Sequence, residues 1–64
     1  MRYDLIVYTE TTEPYGGLIV FDDDDFDNIE YVAQCIQDVL LAHNHHGRIA
    51  IESRDGETMD EYSF

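Results

Sequence analysis

The sequence predicts a two-layer α+β domain in which one helix packs on a small antiparallel or mixed sheet, in the order β-β-α-β. Three observations lead to this fold class. Two short strand-like runs precede residue 23, apolar residues then recur with helical spacing, and a third alternating run follows residue 47. With 64 residues, the chain is long enough for one hydrophobic core, so residues 1–64 are predicted to form a single compact domain.

The first two strands are predicted from alternation and from the turn residues between them. Along residues 3–10, the apolar side chains of one predicted face alternate with the more mixed side chains of the other. This pattern indicates a strand that is buried on one face and partly covered on the other. Residues 11–17 hold the only proline and two adjacent glycines, which favour a turn or loop. Residues 18–22 are a second apolar run, so the two strands are expected to form an antiparallel hairpin.

The helix is predicted from capping and spacing. Asp27 is a candidate N-cap, and Glu30 three residues later completes the capping-box pattern. From Ile29 onward, positions 29, 32, 33, 36, 39, 40 and 43 recur with helical periodicity over four turns, and all of them except His43 are apolar. Gly47 is expected to close the helix, after histidines that suit the negative end of the helix dipole.

The remaining residues predict a third strand and leave a fourth open. Residues 48–54 alternate, and Asp55-Gly56 is a hairpin turn signal. A tight turn there would place Asp60 opposite Ile51, a poor pairing. Residues 57–62 are therefore either a short fourth strand with a β-bulge or a loosely held tail. A right-handed crossover through the helix gives the spatial order 2-1-3.

The charge is extreme for so small a chain. There are 15 acidic and 3 basic residues, which give a formal charge of −12 and no lysine. Such a surface excludes direct binding to nucleic acid or to an anionic membrane, since both require a basic face. A small domain needs a net charge of magnitude only about 2–8 for solubility. The excess therefore predicts a partner with a strongly positive surface.

Two groups of acidic residues are candidates for that contact. Alternate side chains of an extended run lie about 6.6 Å apart, which is similar to the distance between neighbouring phosphates of a nucleic-acid strand. Tyr31 joins the first group because tyrosine among acids is typical of protein interfaces. The predicted partner-binding group is Asp22, Asp23, Asp24, Asp25, Asp27, Glu30, Tyr31 and Asp38, and the secondary acidic patch is Glu52, Asp55, Glu57, Asp60 and Glu61.

Metal sites are the main alternative explanation of these residues. Asp23, Asp25 and Asp27 fit the first ligands of an EF-hand loop. Asn28 and Gln34, however, stand where that loop requires glycine and glutamate. Three histidines, at positions 43, 45 and 46, lack a supporting cysteine and suit the helix end. No metal and no cofactor are predicted.

An enzyme is not predicted either. Cys35 is expected to be a small packing residue beside the apolar stripe, no glycine-rich phosphate loop is present, and no catalytic residue is identified. No apolar pocket for a protruding side chain is obvious. The chain has no run of about 18 apolar residues and no signal peptide at Met1–Asp4. A cytoplasmic location is therefore expected.

In size, charge and the Asp22–Asp25 run extended by Asp27 and Glu30, the chain resembles the small acidic DNA-mimic inhibitors encoded by phages and mobile elements. These include anti-CRISPR, anti-restriction and uracil-DNA glycosylase inhibitor proteins. The resemblance concerns the whole chain in character but includes no alignable motif, so it transfers no functional residue.

The resemblance implies a stoichiometric inhibitor, active inside a bacterial host cell. Its target would be a CRISPR effector, a restriction enzyme or another DNA-handling protein, whose DNA-binding groove it would occupy. An anti-CRISPR protein that blocks target-DNA binding by a surveillance complex is the expectation favoured here. The alternatives are an antitoxin-like inhibitor of a basic RNase or toxin and an acidic interaction module that modulates a host protein.

Overall fold

A computed structural model describes residues 1–12 and 16–64. It contains one helix and one four-stranded antiparallel sheet with the strand order β2-β1-β3-β4. The predicted α+β class and the 2-1-3 order are confirmed, and of the two alternatives for residues 57–62 the structure has the fourth strand. Of the predicted loop at 11–17, residues 13–15 lie outside the described residues. The elements are β1 (Tyr3–Thr9), β2 (Leu18–Asp23), α1 (Phe26–Ala42), β3 (Gly47–Ser53) and β4 (Thr58–Ser63).

The core lies between α1 and one face of the sheet. Both central strands contribute alternate side chains to it, as the period of two requires. Ile29 and Ala33 of α1 pack on them, and the ring of Tyr3 meets that of Phe26 edge to face at 5.2 Å between centroids. The buried cluster comprises Leu5, Val7, Ile29, Ala33, Ile49, Ile51 and Phe64.

The other face of the sheet has a small covered centre of its own. Ile6 and Ala50 are paired across β1 and β3, and Ala50 is only 1% exposed. Nearby, the Arg48 guanidinium lies 3.8 Å above the centre of the Tyr8 ring, a cation–π contact. Gly17 lies so close that a Cβ there would come within 2.7 Å of the Tyr8 ring. The partly covered second face predicted for the first strand is therefore present.

Both edge strands contain a β-bulge. Leu5 and Ile6 pair with Phe21 and Ile19, so Val20 is the extra residue in β2. In β4 the extra residue is Met59, because Ile51 pairs with Asp60 and the next residue of β3 pairs with Thr58. The unfavourable Asp60–Ile51 pairing foreseen from the sequence therefore exists, and a bulge adjoins it. Bulges also discourage edge-to-edge association of sheets.

The end of β4 is anchored by two aromatic residues. Tyr62 packs against the core and Phe64 is buried, whereas Met59 is exposed. The Phe64 backbone exchanges two hydrogen bonds with that of Gly47, of 2.9 and 3.0 Å. A Cβ on Gly47 would collide with the Tyr8 carbonyl oxygen. Gly47 is therefore needed for close strand packing rather than for ending the helix.

The helix begins earlier than predicted. Its N-cap is Asp25, whose carboxylate accepts from the backbone N–H groups of Asp27 and Asn28 at 3.0 and 3.3 Å. The prediction of Asp27 as N-cap is wrong because Phe26, which packs on Tyr3, already lies in the first turn. Asp27 instead adds a favourable negative charge to that turn.

The helix also ends before Gly47, so that prediction is wrong. Asn44 adopts the left-handed conformation, with φ of 58°. The Asn44 N–H donates to the Leu41 carbonyl at 3.1 Å, and the His45 N–H donates to the Leu40 carbonyl at 3.0 Å. This pair of bonds is a Schellman motif, in which asparagine takes the place usually held by glycine.

The Asp25 cap can be separated from the Asp25 charge. Replacing Asp25 by alanine should lower the free energy of unfolding by about 1 kcal/mol, because two helix N–H groups lose their acceptor. Asp25→Asn removes the same charge but keeps a capping oxygen, and should stay close to the parent. Denaturant unfolding followed by circular dichroism measures both. Equal losses in the two variants would contradict the capping role.

Candidate functional site

The aspartate run does not form one extended array. Asp22 and Asp23 end β2, Asp24 lies in a bend, and Asp25 caps α1. The predicted array of alternating carboxylates along residues 22–25 is wrong beyond Asp23, because the chain turns there to enter the helix. The four side chains therefore differ in their surroundings and in what they contribute.

Asp22 belongs to a network of ion pairs on the sheet face opposite α1. It lies directly across from Asp4, a like-charge pair that is unfavourable by itself. Arg2 donates to Asp22 at 2.9 Å, and Arg54 contacts both Asp22 and Asp4 at 3.0 Å. Two guanidinium groups thus offset two carboxylates, so Asp22 contributes little uncompensated charge to a binding surface.

Asp23 holds the turn into the helix. Its carboxylate accepts from the Asn28 side-chain amide at 2.6 Å and from the Asp25 backbone N–H at 3.1 Å. These hydrogen bonds hold the pKa of Asp23 below its usual value, and the bond from Asn28 has the largest effect. Asp23 and Asp25 are thus part of the local fold as well as of the acidic surface.

The outer surface of α1 carries the rest of the predicted partner-binding group. Asp24 and Asp27 are exposed near its start, and Asp38 is exposed farther along. At about 100° per residue, Asp27, Tyr31 and Asp38 share one side of the helix, and Tyr31 is 67% exposed. These residues are brought together, whereas Glu30 is not among them.

Glu30 turns toward the sheet and meets the secondary acidic patch. The Tyr62 hydroxyl lies 3.1 Å from carboxylate oxygens of both Glu30 and Asp60. One hydroxyl proton serves one of the two acceptors at a time. Burial first, and then the hydrogen bonds to the two carboxylates, raises the pKa of Tyr62 to about 12. This contact joins α1 to β4, beside a 2.8 Å bond from Gln37 to the Ser63 carbonyl.

The secondary acidic patch is divided among several places. Glu52 accepts from the Tyr8 hydroxyl at 3.3 Å, and Glu61 pairs with Arg48 at 2.8 Å. Asp55 and Glu57 are exposed at the turn between β3 and β4, while Asp60 faces Tyr62. The five residues do not form one continuous surface.

An apolar groove, which the sequence pattern did not predict, runs along one flank of α1. Its volume is about 300 Å³. Val39 was assigned to the buried stripe but is 57% exposed, and Cys35 was expected to pack but is exposed. Both assignments are wrong because, within residues 1–12 and 16–64, no second helix lies beside α1. The groove is lined by Tyr31, Val32, Cys35, Ile36, Val39 and Leu40.

The histidine, cysteine and acidic side chains are not arranged as a metal site in the described part of the chain. Within residues 1–12 and 16–64, no three of them are placed so that they could hold a metal ion. The ring Nδ1 of His43 lies 2.9 Å from the Val39 carbonyl oxygen at the end of α1. Within the same ranges, no helix has both the length and the apolar character needed to cross a membrane.

No protein-family model, curated protein or solved structure matches this chain. Functional inference therefore depends on the charges, the exposed side chains and the groove described above.

The Tyr62 contact predicts a specific loss of stability in alkali. An ordinary tyrosine titrates near pH 10, whereas the folded protein holds Tyr62 neutral to about pH 12. This contribution is complete below pH 10 and is lost as the pH rises toward 12. The free energy of unfolding should therefore fall less steeply over this interval in Tyr62→Phe than in the parent.

The pKa of Tyr62 can be measured directly by NMR, from the pH dependence of the chemical shifts of the tyrosine ring carbons. The Tyr62 signal should shift well above pH 10, the region in which an ordinary tyrosine titrates. Titration of Tyr62 near pH 10 would contradict the contact with the two carboxylates.

Proposed function

We propose that this protein is a non-enzymatic inhibitor that presents a carboxylate surface to the positively charged DNA-binding site of another protein. The carboxylates would take the positions of DNA phosphates, and binding would release the counterions held by the target groove. A CRISPR effector, a restriction enzyme or another DNA-handling protein is the proposed target. An anti-CRISPR protein that blocks target-DNA binding is the favoured form of this proposal.

The observation that carries the proposal is the large charge together with where the few cations lie. The formal charge is −12, and each of the 3 arginines contacts a carboxylate of the same chain. Two of them, Arg2 and Arg54, meet at Asp22, and Arg48 lies on the sheet. The helix has no lysine or arginine, so all of its charged side chains are acidic.

The aspartates of the proposed contact surface differ in how much the fold depends on them. Asp22 is compensated by arginine, and Asp23 and Asp25 hold the turn and the helix cap. Asp24 and Asp27 are exposed close to the helix N-terminus. They can therefore be changed with the least disturbance of the fold.

Neutralising this pair should weaken inhibition without unfolding the protein. Asp24→Asn/Asp27→Asn is expected to lower affinity for the target several-fold, because two exposed charges leave the proposed contact. Asp55→Asn/Glu57→Gln is the matched control, since it removes two exposed charges at the turn between β3 and β4. Retained inhibition in the first variant and loss in the control would move the binding surface to that turn.

The target can be sought by affinity capture from a bacterial lysate, followed by elution with duplex DNA. A dominant nucleic-acid-binding protein that DNA displaces is the expected result. A partner that DNA does not displace would favour the interaction module. If the captured partner is a basic ribonuclease, and its RNA substrate releases it from this protein, the antitoxin-like alternative would be favoured.

Salt should act in opposite directions on folding and on binding. The melting temperature should rise with NaCl because screening weakens self-repulsion. Affinity for the target should fall over the same range, since counterion release contributes less at high salt. Calorimetry of the free protein and a binding isotherm at each salt concentration measure the two effects. If neither the melting temperature nor the affinity changed with NaCl concentration, the electrostatic proposal would be refuted.

A further inference from the structure

We propose that the groove along α1 is a docking site for an amphipathic basic segment of the target protein, with apolar side chains in the groove and lysines or arginines against its rim. The inference relies on the proposed function for the basic character of the partner. It adds a second kind of contact, which does not depend on imitation of DNA.

The lining of the groove is apolar, and much of it is accessible. Tyr31 and Val39 are 67% and 57% exposed, and Cys35 between them is also exposed. These three residues are spaced by four, so they follow one line along the helix. Over residues 31–39 that line is about 12 Å long at 1.5 Å per residue. This length suits two turns of a partner helix, with anchors spaced by three or four residues.

One side of the groove is bordered by acidic residues. Asp27 lies one turn before Tyr31, and Asp38 lies three residues after Cys35, so both are surface neighbours of the lining. Both are exposed, and α1 contains no cation that would offset them. A segment with leucine-like side chains on one face and cations beside them complements both the lining and the acidic border.

The same charges disfavour a second copy of the chain as the occupant. Two copies meeting at this groove would bring together Asp27 and Asp38 of each, in molecules of formal charge −12. Like charges that face each other across an interface disfavour association. The partner that fits is therefore basic and different from this chain.

A model peptide tests the docking site before any target is known. The probe is a helix-forming peptide of about 15 residues made of leucine and lysine, with the leucines along one face. A matched peptide carries alanine at each leucine position and the same lysines. Both are titrated into the full ¹⁵N-labelled chain under reducing conditions, at about 0.05 M and about 0.5 M NaCl.

The leucine peptide should remain bound at the higher salt and shift the amide signals of residues 31–40. The alanine peptide should bind at low salt and dissociate at high salt, because charge alone holds it. If both peptides are lost equally at high salt, or if the shifts lie outside α1, the docking proposal is overturned.

Two variants separate the groove from the general apolar surface. Val39→Gln should weaken high-salt binding of the leucine peptide by about tenfold. Leu41→Gln is the matched control, because Leu41 is also an exposed apolar residue of α1, at 49%, but lies outside the groove lining. Its affinity should change less than about twofold. Thermal melts establish that both variants fold, and equal affinities in the two would overturn the proposal.

These outcomes are independent of those for DNA mimicry. A target that DNA displaces but that binds Val39→Gln normally would support mimicry and refute the groove. If the leucine peptide binds the groove but DNA does not displace the target, the groove would be supported and DNA mimicry refuted. Salt-induced self-association that Val39→Gln abolishes would assign the groove to a second copy and overturn this inference.

Discussion

Repulsion among like charges is the constraint on which the rest of this structure depends. The chain carries a formal charge of −12 on a body with a radius of gyration of 11.1 Å, and a net charge of that size destabilises compact states. Its few cations are placed where folding itself brings acids together. Pairing of β1 with β2 sets Asp4 against Asp22, and Arg54 lies between their carboxylates. Since Arg54 follows β3, this contact links three strands at one end of the sheet. Exposed ion pairs contribute little individually, but here they offset a repulsion that the strand register imposes.

The same constraint gives several acidic residues two roles. Asp25 supplies an acceptor for the first turn of α1, and Asp23 holds Asn28 beside it. Negative charge near a helix N-terminus is also favourable with respect to the helix dipole. An acidic turn before this helix is therefore consistent with folding as well as with binding, and the run of aspartates alone does not distinguish the two. Asp24 and Asp38 are exposed, whereas two arginines offset the charge of Asp22, so Asp24 and Asp38 are stronger candidates for contact with a partner.

Local patterns were sufficient for the order of elements but not for their ends or edges. Alternation and helical spacing predicted the strands and α1, since burial of one face dictates those periods. The helix start was missed because each aspartate near residue 25 satisfies the local capping rule, and the packing of Phe26 on Tyr3 decides among them. Likewise, Gly47 looks like a helix stop, although close approach to Tyr8 explains it. The groove could not be foreseen either. Helical spacing marks Val39 as apolar, but whether anything covers it depends on how many elements surround the helix.

Charge and groove together suggest how a complex of the proposed kind would form and persist. Long-range attraction between an acidic surface and a basic one mainly raises the association rate, and it weakens as salt is added. Apolar contacts are short-ranged and mainly slow dissociation, with little dependence on salt. Tyr31 lies at the boundary between the acidic side of α1 and the groove. It lines the groove and shares the outer side of α1 with Asp27 and Asp38. An inhibitor that relied on carboxylates alone would bind basic proteins with little discrimination. In a complex of the proposed kind, an apolar groove beside those carboxylates would add a requirement of shape that most DNA-binding surfaces would not meet, and selectivity for one target would follow from that requirement.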